Sequence, residues 1–342
     1  MRKPVFGVRL PNSGPLASSE ALRKIAVAAD QLGFGAVTAH DHVTLGPGEK
    51  YHFSDGTAER LEELEKRGVP TSTFYETVSL LSYVAGITER VKLIPTCWVL
   101  SWRHPVLFAK QAVTLHELSG ERLIFCATIG NLRSDFDAMG VPRSRRGKIA
   151  NEYLEVLRRI FSDQRSVSFR GEFVSFPGTE FYPKPKNMPI WIGGAANRFA
   201  FERIAKYGNG WFGGGDSPDD YIKARAELDK YMQKYSRSVE EIEVGQQTFL
   251  RIGSDTDDLR ALAAPTIHKF FCGREYDGKV QTMIQKSLVT SFVGTPEHIT
   301  RLVQRYLDAG VTTHDMRLVA SSVDDGLTTL KTFARDVIPS FD

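Results

Sequence analysis

The sequence predicts an α/β chain folded as a single (β/α)8 barrel, and three observations lead there. First, residues 103–129 contain one complete α/β repeat with both joints visible. Pro105 suits the first turn of a helix, where its missing N–H costs nothing, and Gly120 suits the left-handed residue that ends one. Between them Val106, Ala109, Val113 and Leu115 form an apolar stripe, and residues 123–129 then run almost continuously apolar, as a strand covered on both faces does. Second, strand-like and helix-like segments alternate along the whole chain with short joints. Third, no composition shift or long linker divides the 342 residues, whose 42% hydrophobic content can bury one large core.

The elements follow in order. A first strand is expected over 4–10, and Ser18 or Ser19 can cap a helix that Gly33 ends. Strand two is 36–39. An excursion over 43–72 is rich in glycine, charge and turn residues, with one surface helix at 57–67 whose Glu59, Arg60, Glu62, Glu63, Glu65 and Lys66 form a solvated face. A helix at 73–87 leads to strand three at 91–95, and the 103–129 repeat supplies the next helix and strand four. After a helix at 147–161, an alternating pair around Arg170-Gly171 predicts a hairpin laid over the barrel, within an insertion at 162–189. Strand five at 190–192, a helix at 197–207, strand six at Trp211-Phe212 and strand seven at 242–252 come next. A second long excursion spans 255–290, and a helix at 296–308 and strand eight at 316–319 complete the set. The barrel thus carries insertions after strands two, four and seven.

Composition narrows the function classes. The chain has 44 basic against 41 acidic side chains, a net charge of +3, so no strong field points to nucleic acid or an anionic membrane. A small-molecule partner is the default. Cys97, Cys126 and Cys272 are an odd number with no C-x-x-C spacing, which fits a reduced, cytoplasmic protein. The first ten residues contain no apolar stretch of a secretory signal, and no apolar span of eighteen residues occurs.

In such barrels reactive groups sit where strands end and loops begin. At the end of strand two, Ala39-His40-Asp41-His42 places two histidines on one side of an extended chain, which raises a metal reading. The other ligands of that site are missing: strands five and six end in glycines, and His314-Asp315 fall at the beginning of strand eight, the stability face. No metal site is expected, and one histidine as a structural hydrogen-bonder is the alternative. At the end of strand three, Pro95-Thr96-Cys97-Trp98 is awkward for a regular strand and suits a bulge. Trp98 either lies in the mouth against a flat ligand or packs under the loop; Cys97 is either reactive or a small hydrophobe. Two glycine clusters, 193–196 and 213–216, follow strands five and six, where backbone N–H groups can hold a phosphate. Gly208-x-Gly210-x-x-Gly213 matches a dinucleotide fingerprint in letters only, because it leads from helix into strand.

At these residues the chain resembles the bacterial luciferase-like monooxygenase family of flavin and deazaflavin oxidoreductases, nearest the subgroup assigned to deazaflavin-dependent oxidoreductases. The segments that carry the likeness are FGVRLPNSGPLAS, AADQLGFGAVTAHDHV, ERVKLIP, RHPVLFAKQAVTLHELSGERL, MGVPRSRRG, EYLEVLRRIF, PKPKNMPIWIGGAANRFAFERIAKYGNGW and FVGTPEHITRLVQRYLDAGV, in that order over nearly the whole length. The resemblance implies a ring cofactor in the barrel mouth, a non-proline cis peptide around Thr96 to Trp98, and phosphate held after the later strands. Carried over by position, Asp41 and His42 lie near the ring, with His42 as proton donor or polarising group; Cys97 is a further catalytic candidate. Thr96, Cys97, Trp98, Gly130, Asn131, Gly193, Gly194, Ala195, Gly213, Gly214 and Gly215 are the cofactor-binding candidates. Two departures stand out: Cys126 to Asn131 replaces a glycine-rich G-x-G-x-G after strand four, and Ala195-Ala196 replaces a serine after the glycine pair.

The subgroup resemblance leans to a deazaflavin and the wide use of the fold to a flavin; the reading placed first is reduced flavin mononucleotide (FMN), with a separate reductase as a possible supplier and monooxygenation of a small organic substrate by O2. The alternatives are 8-hydroxy-5-deazaflavin (coenzyme F-420) with hydride transfer, for which Lys184 and Lys186 or the Arg143-Arg145-Arg146-Lys148 cluster can meet an anionic tail, and a cofactor-binding barrel without turnover. Both long excursions are candidates for a lid. Pairing through outer helices, as a homodimer, is expected by analogy.

Overall fold

Strand and helix alternate from the first residues of the computed structural model, which describes residues 3–46, 56–68, 73–272 and 280–342. The elements are β1 (Val5–Arg9), α1 (Ser19–Gln31), β2 (Ala36–Ala39), α2 (Ala58–Lys66), α3 (Thr77–Ile87), β3 (Lys92–Pro95), β4 (Trp98–Val99), α4 (Pro105–Leu118), β5 (Phe125–Thr128), α5 (Arg133–Ala138) and α6 (Arg146–Phe161). The second half comprises β6 (Ser166–Arg170), β7 (Ser175–Glu180), β8 (Ile190–Gly193), α7 (Arg198–Tyr207), β9 (Gly210–Phe212), α8 (Pro218–Gln233), β10 (Glu243–Ile252), α9 (Thr256–Cys272), α10 (Val280–Thr290), β11 (Phe292–Gly294), α11 (Pro296–Asp308), β12 (Thr313–Leu318) and α12 (Val323–Asp336).

The parallel strands run β3-β2-β1-β12-β10-β9-β8-β5-β4, and β3 with β4 forms one stave interrupted at Thr96-Cys97. A parallel bridge between Leu93 and Leu123 joins the two ends of that order, so the staves close into the expected barrel. Helix ends follow local chemistry. Pro105 begins α4 and Gly120, at φ 73°, ends it; Asn197 accepts from the Phe199 and Ala200 N–H groups to start α7; Ser217 and Asp220 form a reciprocal cap on α8. The N- and C-terminal parts meet where Phe333 of α12 packs edge-on to Phe6 and stacks on Phe34, with centroids 5.0 and 5.8 Å apart. Among the described residues no helix is long and apolar enough to cross a membrane.

The observed fold departs from the sequence expectation at three places. Strand eight begins at Thr313 rather than 316, which puts His314 and Asp315 inside it. The hairpin β6–β7 does not lie over the mouth: Glu152 of α6 accepts from the N–H groups of Glu172, Phe173 and Val174 at its turn, so it is docked on an outer helix. The second excursion holds two helices, α9 and α10, to which the sequence reading assigned no elements, and it joins the first. The Ala58 N–H donates to Thr266 Oγ1 at 3.1 Å, and Lys269 pairs with Glu62 at 2.9 Å, so α2 and α9 form one cap. Residues 47–55, 69–72 and 273–279 of the two excursions lie outside the described residues.

Inside the barrel, Arg9 of β1 is 2% exposed and Asp315 of β12 is fully buried. The guanidinium donates from Nε to Asp315 Oδ1 at 3.1 Å and from Nη2 to Asp315 Oδ2 and to Thr96 Oγ1; Thr38 of β2 donates to the same carboxylate. Four staves are thereby tied through one buried ion pair. We expect Asp315→Ala, which leaves the guanidinium buried without its counter-charge, to cost about 3–5 kcal/mol in urea unfolding; a loss below about 1 kcal/mol, the range of exposed pairs, would contradict this role.

Candidate active site

Above the Arg9–Asp315 pair, at the ends of the strands, opens a cavity of about 360 Å3 that Arg9, Thr96, Gln247 and Arg317 reach from the barrel interior. Its rim brings together most of the residues expected from sequence: His42, Thr96, Cys97, Gly130, Asn131, Gly193, Gly194, Ala195, Gly213 and Gly214.

The three polar residues after β2 have distinct surroundings. Asn12 and Thr77 both donate to the His40 carbonyl at 2.8 Å, and the His40 ring shares a 2.8 Å hydrogen bond with Ser13 Oγ. Burial first, then His42, Arg9 and Arg317 nearby, hold the His40 imidazole well below its ordinary value, so it is neutral at neutral pH. His40 is thus the structural hydrogen-bonder. Its ring centroid lies 5.5 Å from that of His42, but among the described residues no group of three or more His, Cys, Asp or Glu is placed to hold a metal ion.

Asp41 was expected in catalysis, and its surroundings correct this. Arg103 donates to both of its oxygens at 2.7 Å, the Val99 N–H donates to Oδ2 at 2.9 Å, and Arg103 also reaches Glu76 at 2.6 Å. Burial opposes the charge on Arg103, yet the two carboxylates push its basicity above the ordinary value. A carboxylate held by a bidentate guanidinium and a backbone N–H fixes the loop between β2 and β4.

His42 is oriented by a residue that the sequence reading missed. Its Nδ1 lies 2.8 Å from Oδ2 of Asp135 on α5, and Oδ1 of the same carboxylate accepts from the Val43 and Thr44 N–H groups at 3.0 and 2.9 Å. An ionised carboxylate only accepts, so Nδ1 carries the proton and the Nε2 edge is the one turned away from Asp135. No local pattern announces Asp135, because its partner is 93 positions away in sequence. Arg9, Gln247 and Arg317 were missed as well; the alternation of Asp315 and Arg317 with Met316 and Leu318 in β12 is the signal that marks them as inward-facing.

The peptide between Thr96 and Cys97 is cis, as the resemblance implied. Trp98, however, does not offer its ring to the mouth. It is fully buried and packs edge-on to Phe108 and Phe125, with centroids 5.0 and 5.2 Å away, beneath α4. The break between β3 and β4 resets the alternation of faces, so the ring goes outward and Cys97 inward. Cys97 Sγ lies 3.2 Å from Cys126 Sγ, and burial followed by this neighbour pushes the Cys126 thiol well up. Cys97 thus stands beside a buried neutral thiol and forms part of the wall of the mouth.

That wall explains two glycines. A Cβ on Gly193 would lie 2.2 Å from Cys97 Sγ. Gly130, at φ 75°, closes on Val99 and Phe136, where a Cβ would stand 2.8 and 3.0 Å from their side chains. In the two glycine loops, carbonyls are drawn outward: Trp211 Nε1 donates to Gly194 O at 2.9 Å, and the Tyr221 hydroxyl donates to Gly214 O. Each trans peptide points its N–H opposite to its carbonyl, which turns the Ala195 N–H group toward the cavity side. Gly215 itself lines an adjoining chamber rather than the mouth. Of the basic residues considered for an anionic tail, Arg145 pairs with Glu172, Arg143 donates to Asn131 O at 3.2 Å and Lys184 donates to Ile160 O at 2.8 Å.

Residues 6–313 match a family model described as luciferase-like monooxygenase. An uncharacterised protein of Mycobacterium tuberculosis is 32% identical over 221 residues, which cover 64% of this chain and 70% of that one. An FMNH2-dependent dimethylsulfone monooxygenase of Pseudomonas fluorescens is 24% identical over 248 residues, 72% of this chain and 61% of the relative. Among solved structures, an F420-dependent secondary alcohol dehydrogenase in complex with an F420-acetone adduct superposes with a TM-score of 0.77 at 14% identity, covering 100% of both chains. At that identity the likeness shows the fold.

The contact between Gly193 and Cys97 is directly testable. Gly193→Ala overpacks the mouth and is expected to cost about 1–3 kcal/mol in thermal or urea unfolding. Adding Cys97→Ala removes the opposing Sγ and should restore most of the loss; equal stability of single and double variants would show that this contact does not dictate the glycine.

Proposed function

The chain belongs to the luciferase-like monooxygenase family, a family of oxidoreductases, and from that premise we propose that its barrel mouth binds reduced FMN and that the protein inserts one atom of O2 into a small organic substrate. The observation that carries the reading is the composition of the 360 Å3 cavity: one wall of glycine loops with outward-drawn carbonyls, a second wall of the Thr96-Cys97 peptide, and a histidine oriented by a buried carboxylate. Its volume falls within the range of cofactor and ligand clefts. The glycine loops leave a wall poor in Cβ atoms that admits a planar ring, and the Ala195 N–H group suits a phosphate. The site therefore fits the group the family uses.

When bound, the cofactor supplies the electrons and the activation of oxygen. This chain's own residues do the rest. His42 handles a proton at Nε2 while Asp135 fixes its ring and tautomer; Asp41 with Arg103 and Glu76 holds the strand-two exit in place; the cap formed by α2 and α9 excludes water. Cys97 and Gly193 set the depth of the pocket. A separate reductase supplies the reduced flavin, and a second copy of the chain covers exposed Leu107 and Leu118, which lie on one stripe of α4.

The second reading, hydride transfer with the deazaflavin, is favoured by the His42–Asp135 pair, because moving a hydride to or from a carbonyl carbon requires a group that moves the matching proton. Titration of the purified protein with FMN and with the deazaflavin, each oxidised and reduced, separates the two. Tight binding of reduced FMN with oxygen-dependent turnover supports monooxygenation; selective binding of the deazaflavin supports hydride transfer; binding of neither overturns both. Independently of any substrate, long-range 1H–15N correlations should show the His42 proton at Nδ1 in the wild type. In Asp135→Asn that preference should be lost, and an unchanged tautomer would sink the assigned role of Asp135.

A further inference from the structure

Cys97 and Cys126 meet on neighbouring strands, and only one of them faces the mouth. Trp98 of β4 is paired in register with Ala127 of β5, so the residues just before them, Cys97 and Cys126, stand side by side across the sheet. Adjacent strands run about 4.8 Å apart, inside the range of ~4.4–6.8 Å between Cα atoms that a disulfide spans. The two sulfurs lie 3.2 Å apart, and closing that gap to the ~2.05 Å of a bond takes a shift of about 1 Å. Their surroundings differ. Cys97 is partly exposed and lines the 360 Å3 cavity, whereas Cys126 is fully buried, belongs to an apolar cluster with Ile94, Trp191 and Phe212, and does not line the cavity. Burial, then the Cys97 sulfur beside it, push the Cys126 thiol well up, so it is protonated at neutral pH. A reagent entering the mouth therefore meets Cys97 first.

We propose that Cys97 and Cys126 are a modification site for hydroperoxides: a peroxide entering the mouth oxidises Cys97, and Cys126 closes the product to a reversible disulfide. The Cys97 sulfur, as thiolate, attacks one oxygen of hydrogen peroxide; the O–O bond breaks, a sulfenic acid forms, and the departing hydroxide leaves with the thiol's proton as water. The Cys126 sulfur then attacks the Cys97 sulfur, the S–O bond breaks, and the Cys126 proton leaves with the hydroxyl as a second water. Two thiols lose two electrons in all, and one peroxide gains them. A protonated thiol attacks slowly in solution, but Cys126 is held against its target, which makes the step intramolecular.

The packing of Cys97 gives the second sulfur its use. Cys97 Sγ rests against Gly193, where a Cβ would lie only 2.2 Å away. A sulfinate would add two oxygens and a charge to a sulfur packed that closely, and a thiol reductant does not reverse it. A disulfide adds no atom. Cys126 thereby preserves the wall of the mouth until a reductant restores both thiols. The proposal is independent of the cofactor the mouth takes.

The test exposes the whole purified protein to hydrogen peroxide, blocks the remaining thiols with iodoacetamide in urea, and maps tryptic peptides by mass. Peptides 93–103 and 123–133 carry the two cysteines separately. In the wild type they are expected joined, lighter than their sum by two hydrogen atoms, and separate again when the oxidised protein is treated with dithiothreitol before blocking. In Cys126→Ser, and in Cys126→Ala as a second variant, fragment ions should place two or three oxygens on Cys97 that dithiothreitol does not remove, with circular dichroism showing the variants folded. Unjoined peptides in the wild type overturn the proposal, whether Cys97 stays a thiol or gains oxygens. A bridge from Cys97 to Cys272 overturns it too, as does full recovery of the Cys97 thiol by dithiothreitol in the folded Cys126 variants.

Discussion

The buried ion pair between Arg9 and Asp315 is the constraint on which the rest depends. A charged group this far from water is tolerable only with its counter-charge and hydrogen bonds in place, and the pair obtains them from Thr38 and Thr96. One guanidinium therefore fixes the relative heights of the first, second, third and eighth staves. Because Thr96 belongs to the cis peptide at the break in the third stave, the same contact sets where Cys97 enters the mouth. The barrel's floor and the cavity's wall are in this sense one structure.

Above that floor, the polar groups differ in what holds them. Asp41, Arg103 and Glu76 form a closed set in which each charge has its partner, and their effect is to hold the β2 exit still. His40 is kept neutral by burial and spends its hydrogen bonds on Ser13. His42 differs in its partner, since its Nδ1 lies against the buried Asp135 of α5. Two neighbouring histidines of the same local sequence are thus separated in role by what lies behind them.

The fold was legible in the sequence where it rests on local chemistry. Pro105 and Gly120 mark both ends of α4, Asn197 and Ser217 begin the two helices after the glycine loops, and the apolar runs of the inner strands have the right period. The glycine loops, Thr96-Cys97 and His42 were legible as strand-end chemistry. What failed did so for identifiable reasons. The start of β12, Thr313-His314-Asp315, is polar because it faces the ion pair and Gln246, so it reads as loop and hides both Asp315 and Arg317. Trp98 was ambiguous because the break in the third stave removes the face alternation that would have settled its direction. Asp41 looks catalytic only until Arg103, sixty-two positions on, is brought against it. The helices of the second excursion were not resolved from sequence, because α9 and α10 gain their stability from packing on each other and on α2.

The most direct test is a crystal structure of the protein grown with FMN, or with the deazaflavin if that is the form it selects. The ring is predicted in the mouth, bounded by Cys97 and Gly193 on one side and His42 on the other, with phosphate at the Ala195 N–H group and the adjoining chamber under α9–α10 left clear. Cofactor density in that chamber or on the outer surface, with the mouth filled by ordered water, would contradict the assignment of this cavity as the reacting site.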